Sequence, residues 1–166
     1  MTRTNPLKQF HDVVAISDPN ISIPWHVDQP HFLALVPTDS VAWSNQHWVV
    51  VNCHLLGLTR PFAFNFIARP DAVFHEIHFS DDNPETLHSE HAAFAAAIRS
   101  TLGEPVNQYD TSHRWYDKKI VIDISISNVS NTPHGIKRPM FFFQFQNSTR
   151  YAPHWNNRPQ RMPGFD

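Results

Sequence analysis

Histidines and carboxylates are the side chains of this chain that could move protons or hold a metal, and there are 12 His and 15 Asp/Glu to consider. Phe74-His75-Glu76-Ile77-His78 has the residue types of a metal motif. Its histidines are three apart in a segment that reads as strand, so they point to opposite faces and cannot share an ion. The zinc-protease signature instead needs two histidines four apart on a helix with a glutamate between them. His88-Ser89-Glu90-His91 places two histidines at i and i+3 on a helix, where they can be neighbours, but no third ligand follows. Both pairs read as hydrogen-bonded or solvated histidines, and no metal or cofactor is expected. Nucleophilic chemistry has no support. The chain has no Gly-x-Ser-x-Gly elbow, and its single cysteine, Cys53, lies in a strand-like run, where it reads as a small core residue. No catalytic residue is assigned, and the chain reads as a non-enzyme.

The carboxylates suggest recognition instead. Asp71, Glu76, Asp81, Asp82, Glu85 and Glu90 fall in one stretch whose only opposing charge is Arg69. Acids gather at helix starts for structural reasons, but as a group they also form a patch able to steer a basic partner. Charge is unevenly divided: residues 1–112 hold 5 Lys/Arg against 12 Asp/Glu, and residues 113–166 hold 8 against 3. In the basic third, Lys118, Lys119, Lys137, Arg138, Arg150, Arg158 and Arg161 alternate with Trp115, Tyr116, Tyr151 and Trp155. Single-stranded nucleic acid favours such a mixture. Against that partner stand the net charge of −2 and lysines that flank a strand, where they protect an edge. With only 4 Gly, phosphate-cradling loops are not expected either.

The elements that position these residues follow from hydrophobic period. Ile120-Val121-Ile122-Asp123-Ile124-Ser125-Ile126-Ser127 alternates strictly, which marks an antiparallel strand with one buried face and one wet face. Residues 46–56 align Val49, Val51, Cys53 and Leu55; 62–69 align Phe62, Phe64 and Phe66; 73–79 align Val73, Ile77 and Phe79. Turns at Gly57–Pro61 and Arg69-Pro70-Asp71 make these a meander. Asp28 is expected to cap a short helix that Pro37 ends, and Asn83-Pro84 to start a long one that Gly103 closes. Leu87, His91, Phe94, Ala95, Ile98 and Leu102 lie on one face of the long helix. A loop at 104–114 leads through Trp115-Tyr116 to the isoleucine strand. After a further loop, 128–138, comes a last strand at 140–146, with Phe141, Phe143 and Phe145 on one face and Phe142, Gln144 and Gln146 on the other. Residues 1–27 read as irregular and 147–166 as a surface-running or frayed tail.

The expected fold is thus one α+β domain over residues 1–166. A mostly antiparallel sheet of about five strands carries one long helix on one face, with a short N-terminal helix besides. On the open face should lie Glu76, His78, Asn65, Asp123, Ser125 and Ser127. No apolar run is long enough to span a bilayer and the N-terminus has no signal-type h-region, so a cytoplasmic protein without membrane contact is expected.

In Phe62–Phe79, in the helix ending Leu102-Gly103-Glu104-Pro105, and in Trp115 followed by the 120–127 strand, the chain resembles small bacterial immunity proteins. These neutralise a cognate toxin delivered by contact-dependent or type VI systems. The resemblance spans about residues 46–146, and it implies a cytoplasmic binder with no catalytic residues whose function is to occlude a toxin. The candidate partner-binding residues are Asp71, Glu76, Asp81, Asp82, Glu85, Glu90, Trp115, Tyr116 and Asp123. Two other classes stay open. One is a small-ligand-binding domain with a phenylalanine-lined pocket between helix and sheet; the other is an enzyme whose histidine and carboxylate chemistry spacing does not reveal.

Overall fold

The computed structural model describes residues 5–66, 73–130 and 137–147. After a 3-10 turn at Pro6–Phe10 come a hairpin of β1 (Val13–Ser17) and β2 (Asn20–Pro24), then the short helix α1 (Gln29–Leu35). Strands β3 (Val41–Ser44), β4 (Trp48–Leu55), β5 (Leu58–Asn65) and β6 (Glu76–Asp81) follow, then the long helix α2 (Leu87–Leu102). The last four strands are β7 (Asn107–Tyr109), β8 (Ser112–Tyr116), β9 (Ile120–Ser130) and β10 (Lys137–Asn147). Apart from the hairpin, the strands form one antiparallel sheet of 8, in the order β3-β4-β5-β6-β10-β9-β8-β7. Each half of it is a helix followed by a four-strand meander, and the halves join where their last strands, β6 and β10, pair.

The α+β class and the long helix on an antiparallel sheet agree with the sequence reading; the strand count does not. Of the expected irregular segment 1–27, the described part, residues 5–27, contains a 3-10 turn and the β1–β2 hairpin. Val14, Ile16 and Ile23 of the hairpin are buried, and the backbone N–H of His54 in β4 donates to the Asp18 carbonyl at 2.7 Å. The expected loop at 104–114 contains β7 and most of β8. The expected turn at Gly57–Pro61 is only Leu56-Gly57, whose positive φ values of 52° and 82° turn the chain in two residues, and β5 begins at once with Leu58. The long helix starts at Leu87, because Asn83–Thr86 form a turn in which Asn83 Oδ1 accepts from the Glu85 N–H at 3.0 Å. At both ends of the loop expected at 128–138 there is strand instead, since β9 runs to Ser130 and β10 starts at Lys137. The Arg69-Pro70-Asp71 turn and the tail beyond Asn147 lie outside the described residues.

Two layers make the core. The inward faces of the strands meet α2 on one half, where Phe94 packs on Phe141 and Phe143 with ring centroids 5.0 and 5.2 Å apart. The N-terminal segment covers the other half. There Phe32 of α1 sits 4.9 Å from Phe64, Trp25 stacks on Phe74 at 4.7 Å, and Phe10 meets Phe145 at 5.1 Å. Asp28 caps α1 as expected, accepting from the His31 N–H at 2.9 Å. Nine phenylalanines are wholly buried, each contributing about 2–3 kcal/mol by leaving water. The rings expected to line a ligand pocket therefore fill the space between helix and sheet. No described element packs on the sheet's other face.

Candidate functional site

The open face is built by register. Residues directly opposite in neighbouring strands lie side by side on one face, so the pairing converts distant sequence positions into rows. One row runs Trp48, Asn65, Glu76, Gln146, Val121, Tyr116 across β4, β5, β6, β10, β9 and β8. The next runs Ala63, His78, Gln144, Asp123, Arg114. A third sets Ser80 beside Phe142, then Ser125 and Ser112. Both polar rows cross the β6–β10 joint between the two halves of the sheet.

Glu76 is the centre of this face. Its side chain is only 12 % exposed, although no described element covers it, because the neighbouring rows crowd around it. The side-chain amides of Asn65, Gln144 and Gln146 hydrogen-bond its carboxylate, with Gln144 Nε2 donating at 3.4 Å. Burial pushes the carboxyl above its usual range, and the three amides only partly oppose that. His78 Nδ1 and His75 Nε2 each stand 3.8 Å from a carboxylate oxygen, too far for a hydrogen bond. Burial also holds His78 below the usual imidazole range. Its ring lies between Trp48 and Phe142, each with its centroid 6.1 Å away.

Asp123 provides a second buried charge. It is 8 % exposed and takes a close ion pair from Arg114, whose Nε donates at 2.6 Å and whose Nη2 also reaches Oδ2. Burial raises this carboxyl, and the guanidinium opposes the rise. Chemically, the face offers acceptors on a carboxylate that a cation would stabilise, amide donors and acceptors, and aromatic surface. A positive group brought to Glu76 would oppose that rise and favour the charged form.

The residues singled out in the sequence divide among different places. Glu76, Asp123 and Tyr116 share the open face with Asn65, His78 and Ser125, as the alternation implies. Asp123 is buried there rather than wet, because Arg114 and Gln144 flank it. Asp81 lies at the end of β6, opposite Phe141 on the helix side, and serves the turn: Thr86 Oγ1 donates to it at 2.6 Å and the Asn83 N–H at 3.0 Å. Asp82 and Glu85 are exposed in the same connection. Glu90 is on α2, paired with Arg60 at 3.1 Å. Trp115 is buried beneath α2, its indole N–H donating to the Gly103 carbonyl at 2.9 Å, and is a packing residue. Asp71 lies outside the described residues. The described acids thus do not form a single patch. Gln144, Gln146, Trp48, Phe142 and Arg114 were not among the candidates. The outward alternation of β10 carried the signal for three of them.

Burial pushes the Cys53 thiol up to about 12, with a smaller contribution from Asp18. Among the described residues no group of three or more His, Cys, Asp or Glu side chains is arranged to hold a metal ion. Among the same residues, no helix is long and apolar enough to cross a membrane. No family model, curated protein or solved structure matches the chain.

Proposed function

We propose that this protein is a non-catalytic binding inhibitor of the immunity-protein kind, which docks a cognate bacterial toxin on the open face of its sheet in the cytoplasm. The observation that carries this reading is Glu76: a carboxylate crowded among amides and aromatic rings at the middle of a face that no described element covers. Such a group is costly in the free protein and is relieved by a partner's lysine or arginine, so it favours a basic surface, as at a nuclease-type active site. Trp48, Phe142 and Tyr116 supply rigid contact area around it. The resemblance to immunity proteins over residues 46–146 supplies the class of partner.

Co-expression with the toxin-like product of a neighbouring gene tests the reading, with survival and a purified complex as readouts. Glu76→Gln keeps the shape of the side chain and should weaken the complex by about tenfold or more, the worth of one charged hydrogen bond. Trp48→Ala and Tyr116→Ala should weaken it further. Full protection by all three variants, each shown to be folded by circular dichroism, would remove the open face as the docking site. Loss of protection only on changing Asp82 and Glu85 to lysine would move it to the β6–α2 connection.

A further inference from the structure

On the helix side of the sheet, at its far edge, α2 and the β7–β8 hairpin flank an open groove of about 370 Å3. His91 and Arg99 of α2, His113 of β8, and Tyr109 and Asp110 of the hairpin line it, and alanines of α2, Ala96 among them, leave it room. His91 and His113 are 8 % and 6 % exposed, and their rings stack with centroids 5.0 Å apart. His91 Nε2, His113 Nδ1 and Arg99 Nε are all buried without a hydrogen-bond partner. Arg99 Nε does lie 3.2 Å from Glu104 Oε2, an ion pair that lacks hydrogen-bond direction and whose carboxylate is 80 % exposed. A buried nitrogen left unsatisfied costs about 1–3 kcal/mol, and three at one groove call for a common partner.

We propose that the groove binds a small ligand through an oxyanion, a carboxylate or a phosphate, held by His91, His113 and the Arg99 guanidinium. All three unsatisfied atoms are nitrogens able to donate, which selects an acceptor with several oxygens. Arg99 repels a metal cation from the same place. Asp110 at the lining and Glu104 beyond Arg99 are the opposing carboxylates and limit the site to modest affinity. His88, one turn before His91 on α2, is exposed. From the sheet beneath, His91 meets the apolar ring of Phe141 at 6.0 Å. The site is independent of docking on the open face, which lies on the opposite side of the sheet.

Bound anion also changes the protonation of the site. Burial above all, then the charges of His113, His88 and Arg99, hold His91 down to about 4. Burial and then Arg99 lower His113 as well, with Glu104 opposing. An oxyanion restores the protonated form, so it binds with proton uptake and more tightly as pH falls.

Titration of the full chain with sulfate, which does not itself change charge in this range, reads the effect by calorimetry and by imidazole nitrogen NMR. The expected result is saturable binding that shifts the His91 and His113 ring nitrogens. Affinity should be about tenfold tighter at pH 5.5 than at pH 8, as follows if one imidazole regains its ordinary pKa. Arg99→Gln should abolish the binding. Ala96→Glu, on an exposed position of α2, should abolish it too by placing a carboxylate in the groove without disturbing the core. Inorganic phosphate and acetate then sort the ligand class, the tighter of the two naming the head group. Absence of ring shifts at about 50 mM sulfate, or binding unchanged in Ala96→Glu, would overturn the proposal.

Discussion

Replacing His91 with leucine should remove much of the protein's sensitivity to acid. In the folded chain His91 is held at about 4, while its ordinary value is 6.5. The unfolded chain therefore takes up the proton first. The contribution to stability is complete above pH 6.5 and is lost progressively as pH falls through about 4. At pH 4.5 the unfolded imidazole is almost fully charged and the folded one mostly neutral, a difference of about 2.5 kcal/mol; at pH 7 it is about 0.2 kcal/mol. Leucine carries no proton, suits the contact with Phe141, and removes a ring nitrogen that has no partner. The variant should match the parent within about 1 kcal/mol at pH 7 and exceed it by about 2.5 kcal/mol more at pH 4.5. Urea unfolding followed by tryptophan fluorescence at the two pH values measures both. The raised carboxyls of Glu76 and Asp123 act in the opposite sense, their charged forms being penalised above their ordinary range. They are common to both proteins and cancel in the difference. Parallel loss of stability, within about 0.5 kcal/mol, would refute the argument that His91 is buried neutral.

Two further outcomes follow from the ion pair and the turn. Arg114→Met leaves the buried Asp123 carboxylate without its counter-ion and should cost about 2–3 kcal/mol, most of it regained in Arg114→Met/Asp123→Leu. A double-mutant cycle in urea that finds a coupling below about 0.5 kcal/mol would contradict this. Asp81→Ala should cost about 1 kcal/mol by removing the acceptor for Thr86 and Asn83, whereas Asp82→Ala at the exposed neighbour should stay within about 0.5 kcal/mol. Thermal unfolding of both variants would reveal whether the two acids differ in this way.

What could be read in the sequence was what repeats locally. Ile120 to Ile126 alternate without interruption, and the Leu87–Leu102 stripe keeps its helical spacing, so both elements and their buried faces were legible. β8 was hidden because its inward positions are His113 and Trp115, one of them polar, and because β7 spans only three exposed residues. β3 is short and exposed, with a register shift between Val41 and Trp43, so it left no clean period. The β1–β2 hairpin buries few residues, and its Asp18-Pro19 turn resembled loop punctuation. The open face was partly legible: alternation alone placed Glu76, Asn65, His78 and Asp123 on the outward side. Which of them are neighbours depends on the pairing of β6 with β10, strands separated by the whole of α2 and the second meander. No local pattern encodes that pairing, and without it Gln144 and Gln146 could not be seen to meet Glu76. The His91–His113 groove escaped for the same reason.

The closing of the core by its first residues has a consequence for biosynthesis. Asn5 donates to the carboxylate of Asp117 at 2.8 Å across 112 residues of sequence, and Phe10 and Trp25 both rest on Phe145 near the end of β10. Trp25 and Phe32 find Phe74 and Phe64 within the first half of the sheet, whereas Phe10 and the second face of Trp25 gain their partner only when β10 is in place. Until then Phe10 lacks its ring partner and the edge of β6 is unpaired. Long-range pairing of this kind folds slowly. A chain cut short before β10 would present β6 as an unpaired edge strand, and aggregation of that product is the expected outcome.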